Sequence, residues 1–136
     1  MIETLVHQVM NSPVRTVSGE TTATVAAERL RDRSIGSLVV VTEGTIEGIV
    51  AESDVSVLIA ERRDPELPVS AFMSAPVVTI EGTERVRTAA KRMREHGVKK
   101  LPVTEEGALA GMVTTTDLAY HLPRYRTEIV ADPSAE

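Results

Sequence analysis

Apolar and polar positions along this chain fall into short blocks whose period changes from one block to the next. Leu38-Val39-Val40-Val41 is a continuous, largely β-branched apolar run, the pattern of a strand buried on both faces. Thr42-Glu43-Gly44 supplies turn chemistry and Ile46 to Val50 reads as a returning strand, so the two predict a hairpin. Upstream, Val25-Ala26-Ala27-Glu28-Arg29-Leu30-Arg31 has helical composition, with Val25, Ala26 and Leu30 able to share a face. Pro13-Val14-Arg15-Thr16-Val17 is a short extended stretch opened by a proline. Ser53 and Asp54 are N-cap candidates ahead of a helix over Val55-Ser56-Val57-Leu58-Ile59-Ala60. The predicted order is β-α-β-β-α.

The same pattern then occurs again. Sliding the chain by 63 residues brings Met10 onto Met73, Pro13 onto Pro76, Thr16 onto Thr79, Gly48 onto Gly111 and Asp54 onto Asp117, without a gap. Between the identities apolar meets apolar, as Val17 with Ile80 and Leu30 with Met93. The chain is a tandem repeat. Its expected parts are a first repeat at 5–62, a linker at 63–71 rich in charge and proline, a second repeat at 72–122 and a C-terminal tail at 123–136. One such repeat buries little apolar surface alone. Two of them, packed sheet against sheet about a pseudo-twofold axis, give an α+β fold with a shared core and clefts at the seam.

Composition narrows the function. Of the 136 residues 42% are apolar, and Phe72, Tyr120 and Tyr125 are the only aromatics, so a bound base would meet aliphatic walls or a guanidinium plane. A net charge of −5 disfavours nucleic acid and anionic membranes as partners. No cysteine means no disulfide and no thiolate zinc site. The start, Met1 to His7, lacks the basic and apolar parts of a signal peptide, and no apolar run approaches a membrane span, so a cytoplasmic protein is expected. His7, His96 and His121 have no metal spacing. Gly107-x-x-x-Gly111 reads as a hairpin turn plus a strand start rather than a phosphate loop. No grouping of nucleophile, base or metal ligands suggests an enzyme.

Three motifs occur twice, in order. They are Val9-Met10-x-x-Pro13-Val14 with Phe72-Met73-x-x-Pro76-Val77, Ile35-Gly36-Ser37-Leu38-Val39-Val40 with Gly97-Val98-Lys99-Lys100-Leu101-Pro102-Val103, and Gly48-Ile49-Val50-Ala51-Glu52-Ser53-Asp54 with Gly111-Met112-Val113-Thr114-Thr115-Thr116-Asp117. On these motifs the chain resembles the CBS-domain family, the cystathionine-β-synthase type of regulatory module, over nearly all of residues 5–122. The resemblance implies paired β-α-β-β-α repeats and a homodimer of such pairs. It also implies a ligand such as AMP, ADP, ATP or S-adenosylmethionine, with no other cofactor required.

The chemistry of the second repeat suits that class. Thr114 and Asp117 stand where a strand runs into a helix N-terminus, a place that favours phosphate. A threonine hydroxyl can donate to phosphate, and an ionised aspartate is acceptor-only, which suits paired ribose hydroxyls. The alternative is that Thr116 and Asp117 merely cap the helix. By resemblance to nucleotide-binding kinase γ subunits, Lys99 and Lys100 reach phosphates; otherwise they join Lys91, Arg92 and Arg94 in a solvated basic surface. By the same analogy the adenine meets the backbone from Met10 to Thr16, and Ile35, Gly36 and Ser37, with Arg15 able to stack on the base.

The first repeat departs from the pattern: Ala51 replaces the threonine and Gly36-Ser37 replace the lysines. One competent site on Asp117 is therefore expected, with a weaker second one around Asp54, Ser53 and Val98. The rival reading is a ligand-independent module that dimerises and docks on a separate enzyme or transporter.

Overall fold

The computed structural model describes residues 3–33 and 35–121; the expected tail at 123–136 lies outside them. Among the described residues ten strands and α-helices follow in order: β1 (Thr16–Val17), α1 (Ala23–Arg33), β2 (Ser37–Thr42), β3 (Thr45–Ala51), α2 (Glu52–Ala60), β4 (Ile80–Glu81), α3 (Val86–His96), β5 (Lys100–Glu105), β6 (Ala108–Thr114) and α4 (Thr115–His121). The β-α-β-β-α order thus occurs twice. The fold is α+β, with two three-stranded sheets ordered β1-β2-β3 and β4-β5-β6. In each the short first strand runs parallel to the central one and the third returns antiparallel.

The hairpins form because two-residue loops Glu43-Gly44 and Glu106-Gly107 both adopt positive φ, at 49° and 80° and at 51° and 82°. Such turns match the natural twist of paired strands. Three residues beyond each turn a bulge intervenes: Gly48 pairs with Val40 and Ile46 with Val41, which leaves Glu47 unpaired. Ala110 is left out in the same way between Leu109 and Gly111. Gly111 therefore lies inside β6, and the expectation that it begins the strand is corrected.

The central strand of the second sheet contains Pro102, which has no N–H to donate. At the matching place Val39 donates to the Arg15 carbonyl at 3.1 Å. Without that bond β4 starts at Ile80, one position later than β1 under the 63-residue offset.

The chain folds as two compact units. One, the continuous unit, is Arg15–Val77; the other, the split unit, joins the described residues up to Val14 to the described residues from Val78. In the split unit Val6 donates to the Glu84 carbonyl at 2.9 Å and His7 to that of Gly82 at 3.0 Å. In the continuous unit Val69 and Ser70 make the same bonds to Thr21 and Gly19, at 2.7 and 3.1 Å. The short 3-10 turns Val6–Gln8, in the first repeat, and Val69–Ala71, at the end of the expected linker and just ahead of the second repeat, thus complete the unit built on the other repeat's sheet. Val6 and Val9 are buried with Ile80, Met93, Leu101 and Leu118, and Val69 with Leu30, Leu38 and Val50. Each core is aliphatic, as the composition requires.

Behind each turn a methionine and the residue after it lie across the bulged strand. Asn11 exchanges backbone hydrogen bonds with Met112, and Ser74 with Ile49. Glycine makes this approach possible. A Cβ at Gly111 would stand 2.5 Å from Met10 Sδ and 2.9 Å from the Asn11 carbonyl oxygen, and one at Gly48 would stand 2.7 Å from Met73 Cγ. Gly111→Ala is expected to destabilise the protein by about 1–3 kcal/mol. Gly48→Ala is expected to cost less, because there the obstruction is side chain alone. Urea unfolding of the two variants measures the difference.

Candidate functional site

In the split unit β6 runs straight into α4, so Thr114 takes the N-cap position and Asp117 the third position of the helix. The Asp117 N–H donates to Thr114 Oγ1 at 3.2 Å, and the Thr114 N–H and hydroxyl donate to Asp117 Oδ2 at 2.9 and 3.0 Å. This is a reciprocal capping box. A third donor to Oδ2 arrives from 106 residues away: Asn11 Nδ2, at 2.8 Å. Only the amide nitrogen can face an ionised carboxylate oxygen, which fixes the orientation of that amide. Oδ2 therefore meets three donors, while Oδ1 accepts no hydrogen bond among the described residues. Thr116 is exposed on the first turn of α4 and takes no part in the box.

Two lysines adjoin this junction. Lys100 opens β5 and pairs with Thr114 across the hairpin, which puts their side chains on one face of the sheet. The Lys99 carbonyl accepts the Thr115 N–H at 3.0 Å, and its side chain is exposed. Of the other cations, Arg92 donates from Nη1 to the Thr79 carbonyl at 3.0 Å and so ties α3 to the chain ahead of β4. Lys91 is exposed on α3. Val98, assigned by its motif to the weaker site, packs against the core of the split unit.

The continuous unit carries the corresponding junction with different chemistry. Ser37 pairs with Ala51, and the Gly36 carbonyl accepts the Glu52 N–H at 3.4 Å. Asp54 reaches back from the third helical position to accept the Ala51 N–H on Oδ2 at 2.8 Å. Its Oδ1 accepts the Ser74 hydroxyl at 3.4 Å. The N-cap expectation for Ser53 and Asp54 is corrected accordingly: the cap position is Ala51, which has no side-chain acceptor, and Ser53 is exposed inside the first turn. Ile35 packs on the core of this unit, whereas Arg15 and Thr16 are exposed on and just before β1, with Thr16 opposite Val39.

Within single units, then, the fold groups Thr114, Asp117, Lys99 and Lys100, and separately Gly36, Ser37 and Asp54. Sequence reasoning missed the side chains of Asn11 and Ser74. Their signal was faint: both are polar, both follow the repeat's methionine, and both coincide under the 63-residue offset.

Comparison with known proteins places this geometry in a family. The CBS domain model matches residues 6–61 and 69–124. The CBS domain-containing protein YhcV of Bacillus subtilis is 30% identical over 115 residues, covering 84% of this chain and 82% of its own. A conserved CBS domain protein from Thermoplasma acidophilum superposes with a TM-score of 0.83 at 26% identity, over 96% of this chain and 76% of its own. The CBS domain pair of protein MJ0100, solved in complex with 5′-methylthioadenosine and S-adenosyl-L-methionine, superposes with a TM-score of 0.79 at 25% identity, over 87% and 98%. With two matched domains spanning most of its length and both sheets built alike, the chain belongs to the CBS-domain family as a tandem pair.

Proposed function

We propose that this CBS pair is a regulatory, non-catalytic module that binds an adenosine nucleotide of the AMP, ADP or ATP type, centred on Asp117. The observation that carries the reading is the state of that carboxylate. Among the described residues one oxygen meets three donors and the other accepts no hydrogen bond, in a half-buried place beside a threonine hydroxyl and two lysines. An acceptor-only group of this kind suits the ribose hydroxyls. Thr114 and the ammonium groups of Lys99 and Lys100 suit phosphate, for which lysine is a flexible point charge. The adenosyl ligands of the MJ0100 pair support the ribose half of the reading.

The junction around Asp54 is the weaker site. Ala51 and Gly36-Ser37 bring neither the threonine hydroxyl nor a cation, and both oxygens of Asp54 already accept hydrogen bonds. A bound nucleotide would regulate by favouring one arrangement of the protein, and its effect is limited by that preference.

Thermal denaturation with AMP, ADP, ATP, S-adenosylmethionine and 5′-methylthioadenosine tests the reading. A ligand at 100 times its dissociation constant is expected to add about 2.7 kcal/mol. Asp117→Ala is expected to abolish that gain while lowering the unliganded baseline by about 1 kcal/mol through the lost cap. Asp54→Ala should keep the gain. Replacing Lys99 and Lys100 together by alanine should weaken the nucleotides far more than S-adenosylmethionine, which has no phosphate. If no compound moves the transition, the module acts through protein contact instead. Val57 and Ile59 of α2, 53% and 60% exposed, are then the place to look.

The asymmetry has its own test. Ala51→Thr supplies the missing half of the capping box and is expected to stabilise the unliganded protein by about 0.5–2 kcal/mol, read by urea unfolding.

A further inference from the structure

We infer that Asn11 is a positioning residue of the nucleotide site, holding the Asp117 carboxylate so that Oδ1 is kept for the ribose; the inference rests on the reading of Asp117 as the ribose acceptor. The terminal torsion of an aspartate is soft and broadly two-fold, so a carboxylate held only from its own helix turn can swing. Both other donors to Oδ2 come from Thr114, three residues away on the same turn. Among the described residues Asn11 is the one donor that approaches from a different segment, and that segment is itself held. The Asn11 N–H and carbonyl both bond to Met112, at 2.8 and 3.0 Å, over the space that Gly111 leaves open. The amide thus acts as a fixed strut on Oδ2.

The continuous unit serves as an internal control. Ser74 is the counterpart of Asn11, and it too exchanges backbone hydrogen bonds with the neighbouring strand, at Ile49. Its shorter side chain does not reach Oδ2. The hydroxyl donates instead to Oδ1 of Asp54, at 3.4 Å, and occupies the oxygen that Asp117 keeps open. The side chain at this position therefore decides whether Oδ1 of the aspartate is filled, as in Asp54, or left to accept, as in Asp117. Asn11 is exposed, so its replacement disturbs neither core.

The test is calorimetric titration of the wild type, Asn11→Ala and Asn11→Ser with AMP, ATP and S-adenosylmethionine, the tightest repeated as its 2′,3′-dideoxy counterpart. Asn11→Ala is expected to weaken the ribose form about tenfold, the scale of one lost charge-assisted hydrogen bond. The dideoxy form, having no hydroxyl to present, should weaken less than about twofold on the same scale. Asn11→Ser, which copies the other unit, should behave like Asn11→Ala, and unliganded melting temperatures should stay close to wild type. Equal loss for the ribose and dideoxy forms would make Asn11 a structural residue and overturn the inference, as would unchanged affinity in both variants. Failure of the wild type to bind any of the three probes would overturn the nucleotide reading and this inference with it, an outcome distinct from the other two.

Discussion

Much of this protein's organisation follows from one close approach, made twice. At Gly48 and at Gly111 a bulged edge strand has no side chain, and the chain that follows a short 3-10 turn crosses there at distances no Cβ would permit. That crossing lets Met10 and Met73 pack against the cores, pairs the backbones of Asn11 with Met112 and of Ser74 with Ile49, and carries two polar side chains up to two aspartates. Stability and chemistry thus meet at a glycine.

The crossing also explains how such small cores close. A three-stranded sheet with two helices leaves apolar surface uncovered, and sequence-local elements alone do not cover it. Val6 and Val9 on one side, and Val69 on the other, supply the missing apolar groups from the short 3-10 turns, tied by paired backbone hydrogen bonds. The repeat unit of the sequence is therefore not the packing unit of the structure. Each compact unit takes its opening turn from the stretch that precedes the other unit's sheet.

The two copies have diverged where ligand chemistry would act and stayed alike where folding acts. Both I′ turns, both bulges and both crossings are kept, since each is demanded by backbone geometry. At the strand-helix junctions, one copy has Thr114, Lys99, Lys100 and Asn11 at the positions where the other has Ala51, Gly36, Ser37 and Ser74. The binding role proposed for Asp117 does not compete with its capping. The carboxylate has two oxygens, and the cap uses only one.

The sequence by itself determined the element order, the hairpins and the junction chemistry, because these rest on local period, turn residues and short-range spacing. It also pointed to Gly48 and Gly111 as a matched pair and set Gly48 within the returning strand, though it put Gly111 at a strand start rather than inside β6. Helix entry was misplaced at Ser53 and Asp54, since propensity marks a capping residue without fixing whether it acts from outside the helix or reaches back from its third position. Only the tertiary structure decided that Asn11 meets Asp117 and Ser74 meets Asp54. A 63-residue offset aligns equivalent residues but says nothing about which copy's turn closes which sheet, because an exchanged pairing and a direct one bury the same apolar residues. Connection length and the geometry of close approach choose between them, and both are properties of the folded chain.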